Sequence, residues 1–480
     1  MGNFSEAKPR RFAIGRTALL CLTAICALRF TTTVLNMGIY PEIANTFGFA
    51  REINTYFSVF IMVLLAVLAG KKPGFIDAKT FSALSALLIL FGCIILVHAL
   101  ASRNKLLVVI GLFSISAARN WVLVMVYVAL SSLRKDEAVF AIGGGVLAAF
   151  LLYPLSTLLA TTASVLVYCA LPCLLVAPLY RKGAASIARA VQHESSVSEM
   201  RIMNPFSFLG PTHPILIAIL LFNVAFGFSL SLNIQQTTPV MLSLIGIATV
   251  LASAMVLLLK KDRALDSLFS FATLLVIGGY VASMTLLCSS SSLANTILTA
   301  GSAIFSILVY LVIASVIARN PWGMISLSSW AIAFGGLGTV VGADIGHVLN
   351  SLAAHDLHAA VLSIGIVLML FVSYVWIHMR TFSFEKAIQG VAPMQDENPK
   401  ALGVDFEGSI QSLSQSHGLT DRETEILLLL AKGRNSLFLQ EHFVVSKNTI
   451  KTHIKHIYRK LDVHSQQEVI DLIEQHLSAR

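Results

Sequence analysis

Charge is scarce in this chain. Of 480 residues, 25 are acidic and 34 are basic, 12% in all, where a soluble globular protein carries about twice that fraction. So little charge excludes a string of two or three ordinary soluble domains. Cysteine is as sparse. The six (Cys21, Cys26, Cys93, Cys169, Cys173 and Cys288) all lie in apolar stretches. No pair has zinc-ligand or redox spacing, so neither a disulfide framework nor a metal site is expected. There is no Walker-type loop, no HExxH, and no phosphate-accepting receiver pattern ahead of the tail. No enzyme is expected, and no cofactor. The basic start, MGNFSEAKPRRFAIGRTALL, lacks a small-residue cleavage site, and its apolar run continues too long for a signal peptide, so the first span reads as retained. Ser5 misses the Ser/Thr slot of a myristoylation pattern by one place.

What the sequence has in excess is apolar length, with 56% of residues hydrophobic. A membrane-spanning helix needs about 20 such residues. Twelve runs qualify, at 16–39, 53–70, 79–100, 105–130, 138–158, 161–180, 213–234, 238–259, 265–288, 293–318, 324–350 and 358–379. The longest break, 181–211, parts them into halves at 16–180 and 213–379. With the N-terminus inside, only Arg51, Arg103 and Lys105 fall in outer loops. Lys8, Arg10, Arg11, Arg16, Lys71, Lys72, Arg134, Lys135, Arg181, Lys182 and the later loop cations fall inside. That bias sets both termini in the cytoplasm of a multi-pass protein. It also accounts for the formal net charge of +9.

The chain after Arg380 changes character. Residues 381–418 read as a linker, polar and punctuated by Pro393 and Pro399, with one short helix within VDFEGSIQSLSQSHG. Residues 419–480 read as a compact four-helix unit. Thr420 and Glu423 form a capping box ahead of Ile426, Leu427, Leu429 and Leu430. A short helix follows from Ser436 to about Phe443. Ser446 then caps a third helix, SKNTIKTHIKHIYRKL. In it, Ile450, Ile454, Ile457 and Leu461 make one buried stripe. Lys447, Lys451, Lys455 and Arg459 recur every four residues on another face, with Lys460 beside them. A basic ridge on a short helix, set after a tight turn, fits the major groove of DNA. Phosphate contacts would supply affinity there, and the central side chains would read base edges.

These same residues carry a resemblance. The opening LTDRE, the core SKNTIKTH and the close KLDVHS resemble the LuxR-type helix-turn-helix module. The resemblance implies promoter DNA as partner, with Lys451, Thr452 and Lys455 facing the groove and Ser446 and Thr449 helping to hold the backbone. It implies a structural role for Glu423 and a homodimer on DNA through the last helix, from Ser465. Three residues depart from the module's pattern. Gln440 stands for a small Ala, Asp462 for Gly, and Gln466 for Arg; Asp tolerates a left-handed position better than most residues.

The six-plus-six arrangement resembles the major facilitator architecture. The loop between spans two and three, GKKPGFIDAKT, lacks that family's Asp-Arg-x-Gly-Arg pattern. Two charges lie deep, Arg29 and Arg119, in spans that line the central cavity in that architecture. A charge at mid-depth is costly and faces the bundle interior with a partner. The two arginines could clamp an anionic small molecule, with Asp344 as a counter-charge and Asn36, Asn120, Asn223 and Tyr310 adding polar contacts. The alternative is a structural polar interior without a ligand. His98, His347 and His355 are scattered and receive no role.

The expected fold class is therefore all-α: a polytopic membrane helix bundle of six plus six spans with a C-terminal four-helix LuxR-type helix-turn-helix domain. The expected function is a one-component transcription regulator in the bacterial inner membrane, bounded by lipid, whose spans sense a small molecule or membrane signal. Two rivals remain: a transporter with a DNA-binding regulatory tail, and a pure anchor for a DNA-binding domain.

Overall fold

A computed structural model describes residues 14–45, 47–192, 209–231, 239–259, 263–286, 291–391, 399–431, 436–463, 468–469 and 472–473. Among them helices are the only regular elements, with no strand. The chain divides into two compact units, a membrane unit of Met1–Glu194 and Phe206–Ala392 and a tail unit of Pro393–Arg480 together with Ser195–Pro205.

Among the described residues twelve helices are long and apolar enough to cross a membrane: α1 (Arg16–Ala44), α2 (Ala50–Lys71), α3 (Ala78–Ser102), α4 (Lys105–Ser131), α5 (Lys135–Thr157), α6 (Thr161–Ala188), α7 (Pro214–Ser231), α8 (Val240–Leu257), α9 (Ala264–Thr285), α10 (Leu293–Arg319), α11 (Pro321–His355) and α12 (Leu357–Met379). Helices are the outcome because lipid offers no partner to a free backbone N–H or C=O. Their ends are capped where the sequence supplies a short polar acceptor. Asp77 accepts from the Thr80 amide at 2.9 Å, Asn104 from Leu106 at 3.0 Å, and Asp356 from Ala359 at 3.0 Å. Leu174, Ile94 and Leu362 stand on outward faces, where lipid is their solvent.

The helix of α6 continues to Gln192, so the loop expected at 181–211 opens as helix. Ala184, Ala185 and Ala188 favour helix, and Ile187 is buried, which prolongs the apolar face past the charged Arg181 and Lys182. Residues 193–208 of that loop lie outside the described residues.

The interior is packed with aromatic rings. Phe222 of α7 stacks on Phe305 of α10 at 3.9 Å and meets Phe371 of α12 edge-on at 5.3 Å. The glycine run in α5 serves close packing, since a Cβ on Gly145 would lie 2.8 Å from the Leu22 carbonyl of α1. The tightest approach joins α7 to α11. A Cβ on Gly342 would fall on the Val224 carbonyl, and one on Gly227 on the Thr339 carbonyl.

The linker expected at 381–418 is helical over much of its length. A short helix, α13 (Phe384–Gln389), lies on the membrane unit, with Phe384 buried. A longer one, α14 (Pro399–Ser416), belongs to the tail, and its Ile410 and Leu413 join the tail core. The spacing of Phe406, Ile410 and Leu413 is that of a buried helical stripe, so residues 399–418 fold with the tail. The tail continues with α15 (Asp421–Ala431), α16 (Ser436–Phe443) and α17 (Lys447–Leu461). Of the last helix, Glu468, Val469, Leu472 and Ile473 are described and helical, with Val469 and Ile473 in the core. Ser465 and Gln466 lie outside the described residues.

Candidate nucleic-acid interface and polar interior

The tail core orients α17. Ile450 and Ile457 are fully buried, Leu461 nearly so, and Ile454 packs against them. The opposite face carries Asn448, Lys451, Thr452, Lys455 and Arg459, all exposed. None of the three cations on this face has an ion-pair partner among the described residues. From Asn448 to Arg459 the face runs about 16 Å along the helix axis, a length a major groove accommodates. The backbone of Lys447 opens the helix; its side chain is outside the described residues.

The entry to α17 is fixed locally. Ser446 accepts from the Thr449 amide at 3.2 Å, and the two hydroxyls lie 2.8 Å apart. Both side chains are thus engaged in capping. Ahead of them Val444 adopts φ 52°, a left-handed value unusual for a branched residue, and the Val445 amide donates to the Gln440 carbonyl at 3.1 Å. The helix ends at Asp462 with φ 53° and ψ 45°. That is the left-handed turn for which Asp can stand in place of Gly.

Lys460 is not part of the basic ridge. Its ammonium donates to Glu423 Oε2 at 2.7 Å and to the Gly418 carbonyl at 2.8 Å. The spacing that puts it beside the ridge carries no sign of an acid arriving from α15. Glu423 also accepts from the Thr420 amide at 2.8 Å, while its own amide donates to the Thr420 hydroxyl at 3.3 Å, completing the capping box. Burial pushes the Glu423 carboxyl up, but Lys460 and the Thr420 amide and hydroxyl outweigh it and bring the carboxyl down to about 2. Arg422 lies over the Phe443 ring at 3.9 Å, tying α15 to the end of α16.

In the membrane unit the deep arginines divide in role. Arg119 of α4 is consumed by α1. Its guanidinium donates to the Leu28 carbonyl at 3.1 Å and to the Thr31 and Thr32 hydroxyls at 3.2 and 3.0 Å. It also sits 4.9 Å from the centre of the Tyr168 ring of α6. Arg29 of α1 reaches across the bundle and donates to the Ser306 hydroxyl of α10. The phenols nearest its charge are Tyr310 and Tyr127, whose rings are 5.3 Å apart. Tyr310 lies in the field of both arginines. Neither has a carboxylate partner among the described residues.

Asp344 is not their counter-charge. Its carboxylate accepts from the Tyr56 hydroxyl of α2 at 2.6 Å. Span membership alone could not separate it from the arginines, because it lies toward the far end of a 35-residue helix. Asn120 donates to the Ser58 hydroxyl at 2.6 Å, bridging α4 and α2. Asn36 and Asn223 bond backward within their own helices, to the Thr32 and Ile219 carbonyls.

A cluster that sequence reasoning misses joins α2, α7 and α11. Glu52 is 4% exposed and accepts from Arg51 at 2.9 Å, and its Oε1 lies 3.0 Å from His347 Nε2. Arg51 donates in turn to the Ser231 hydroxyl at 2.8 Å, and Asn350 to the Ser231 carbonyl at 2.7 Å. Arg51 is therefore more than a loop cation, and His347 has a partner that its place in the sequence does not suggest. The available signal is an acid and a base adjacent at the start of a span.

Residues 417–473 match the family model described as bacterial regulatory proteins, luxR family. A protein of Escherichia coli (strain K12), described as uncharacterized response regulatory protein YgeK, is 39% identical over 70 residues, 15% of this chain and 48% of that protein. This chain thus spans about half the length of that curated relative. The solved structure of the human organic anion transporter MFSD10 (TETRAN) superposes with a TM-score of 0.51 at 13% identity, covering 75% of this chain and 98% of that one. A bacterial homologue of the iron transporter ferroportin gives 0.50 at 12% identity, covering 75% and 99%. At such identities the likeness is one of fold, and at that level the resemblance to the major facilitator architecture holds. The family matched is one of regulators, and the two solved structures are of a transporter and a transporter homologue. This is a multi-pass membrane chain whose tail is a helix-turn-helix domain of the bacterial LuxR regulator family.

Proposed function

We propose that the chain is a one-component transcription regulator of the bacterial inner membrane, with both termini in the cytoplasm and its tail binding promoter DNA as a dimer through the last helix. The observation that carries this reading is the exposed cationic face of α17, unpaired among the described residues, in a LuxR-family domain joined to twelve spans. On this face Lys451, Thr452 and Lys455 address the groove and Arg459 a phosphate, with Lys447 as a further basic contact. Ser446 and Thr449 set the helix start against the backbone. A genome-wide footprint of the full chain in its own cells tests the reading. Discrete sites that vanish in a Lys451→Ala, Lys455→Ala variant support it; sites that persist unchanged in that variant sink it.

The bundle interior is proposed as the sensor. Arg29 and Arg119 both act on Tyr310, neither with an acid partner among the described residues, and a buried cation without a counter-charge favours an anion. The ligand class is a small carboxylate, seated on Arg29 with Arg119 behind it. Asp344, held by Tyr56, stands outside that pair. Titration of the full chain with sodium acetate and sodium benzoate should give saturable binding that weakens about tenfold or more in Arg29→Gln, the loss of about 1.4 kcal/mol. Equal affinity in Arg29→Gln and Arg119→Gln would contradict the assignment. Binding drives regulation only if two states of the bundle take the ligand unequally. The fold shared with transporters supports a second reading, a transporter with a regulatory tail. Ligand-dependent uptake into vesicles would favour it.

A further inference from the structure

Between the last span and the tail the chain does not hang free. The Phe384 amide donates to Asp266 Oδ1 at 2.8 Å, and the Leu265 amide donates to Glu385 Oε1 at 2.7 Å. The start of α9 and the start of α13 thus cap each other, each supplying the acid for the other's amide. At the far end of α13, Arg319 of α10 donates to the Gln389 and Val391 carbonyls, both at 3.1 Å. Phe384 packs against Phe269 of α9 at 5.2 Å and Phe382 at 5.1 Å, and Val391 is buried.

The joint also holds two acids side by side. Its two carboxyl groups interact, and Glu385 Oε2 is buried without a hydrogen-bond partner among the described residues. Burial and the Asp266 carboxyl beside it push the Glu385 carboxyl up. Two acids brought together out of water oppose each other unless one keeps its proton.

Docking of α13 has a geometric consequence. With it docked, the chain leaves the membrane unit at Val391, and the seven residues 392–398 precede Pro399 of α14. Fully extended, these reach at most about 25 Å. With α13 released, the eighteen residues 381–398 reach about 60 Å. A duplex held close to the anionic inner leaflet is repelled by it, over a screening length of about 8 Å, and a short tether also restricts how two tails meet.

We infer that α13 is a releasable clip that sets the reach of the DNA-binding unit: docked, it holds the tail on a short tether; freed, it lets the tail engage a duplex away from the membrane. This rests on the proposed DNA-binding role of the tail. The test uses the full chain in nanodiscs containing phosphatidylglycerol, with a random-sequence duplex as the probe. In the Asp266→Ala, Glu385→Ala variant, amide exchange over 384–391 should quicken about tenfold and duplex binding should tighten about fivefold. Arg319→Gln, which leaves α9 untouched, should act in the same direction should the double variant misfold. A wild-type chain with a Gly/Ser insert of matching length after residue 398 should bind as tightly while α13 stays protected. Unchanged exchange in both variants would overturn the clip. Faster exchange with unchanged duplex affinity, or an insert without effect, would overturn its control of reach. No duplex binding by any of the chains would overturn the tail's DNA-binding role and the reach claim with it, while the exchange data would still report whether α13 is docked.

Discussion

Replacing Lys451 and Lys455 together by alanine should weaken binding of the full chain to its specific site by about a hundred- to a thousandfold. A side chain that reads a base is worth about 1–3 kcal/mol, and each 1.4 kcal/mol is tenfold. Where these lysines neutralise phosphates instead, the logarithmic salt slope should become shallower by about 0.9 for each phosphate left free. Thr452→Ala should alter which base is preferred with little change in that slope. The informative control is Lys460→Met, one residue beyond Arg459. Its ammonium is bound to Glu423 and the Gly418 carbonyl, so the substitution spares the DNA-facing side chains and strands a buried carboxylate. Breaking such a pair costs about 3–5 kcal/mol of stability. Titration by fluorescence anisotropy over a range of salt, beside thermal unfolding of the same samples, separates the two effects. Equal drops in affinity in Lys460→Met and Lys451→Ala, with both proteins folded, would show that α17 does not present the face described.

The second large effect lies where α7 meets α11. Gly342→Val should abolish folding of the membrane unit or lower its melting temperature by several degrees at the least. The added Cβ would land on the Val224 carbonyl and near the Phe228 amide. Backbone cannot swing aside as a side chain does, so relief requires the two helices to separate. Overpacking costs about 1–3 kcal/mol where neighbours can yield, and here they cannot. Gly278→Val is the matched control. It is a glycine within a span that has nothing within 4 Å of its Cβ position, so it should melt within a degree or two of the parent. Similar melting curves for the two variants in the same detergent would refute the close approach.

Much of the fold is legible in the residues, and what is not shares a cause. The stripe of Ile450, Ile457 and Leu461, the capping box at Thr420 and Glu423, the Ser446 cap and the left-handed Asp462 are all local. Each depends on neighbours within a turn or two, so spacing reveals them. The twelve spans are visible for the same reason, since a bilayer sets length and polarity one segment at a time. Expectation and structure part where a partner arrives from far along the chain. Lys460 sits on the right side of its helix for DNA but meets Glu423, 37 residues earlier. Asp344 meets Tyr56 across 288 residues, and His347 meets Glu52 across 295. Periodicity carries no information about such pairs. The linker differs for another reason. Pro393 and Pro399 suggest irregular chain, but proline is well tolerated at a helix start, and Pro399 opens α14.

The seam between α2 and α11 is unequal along its length. At one end Glu52, Arg51, His347, Tyr56 and Asp344 interlock. At the other, the Ser326 hydroxyl donates to the Ala66 carbonyl at 3.0 Å. Parting a buried charged group from its partners costs about 3–5 kcal/mol, and breaking one neutral hydrogen bond about 1 kcal/mol. The charged end is therefore the costlier one to part, and it serves the seam as a spine serves a book. In the proposed orientation that spine lies on the outer face.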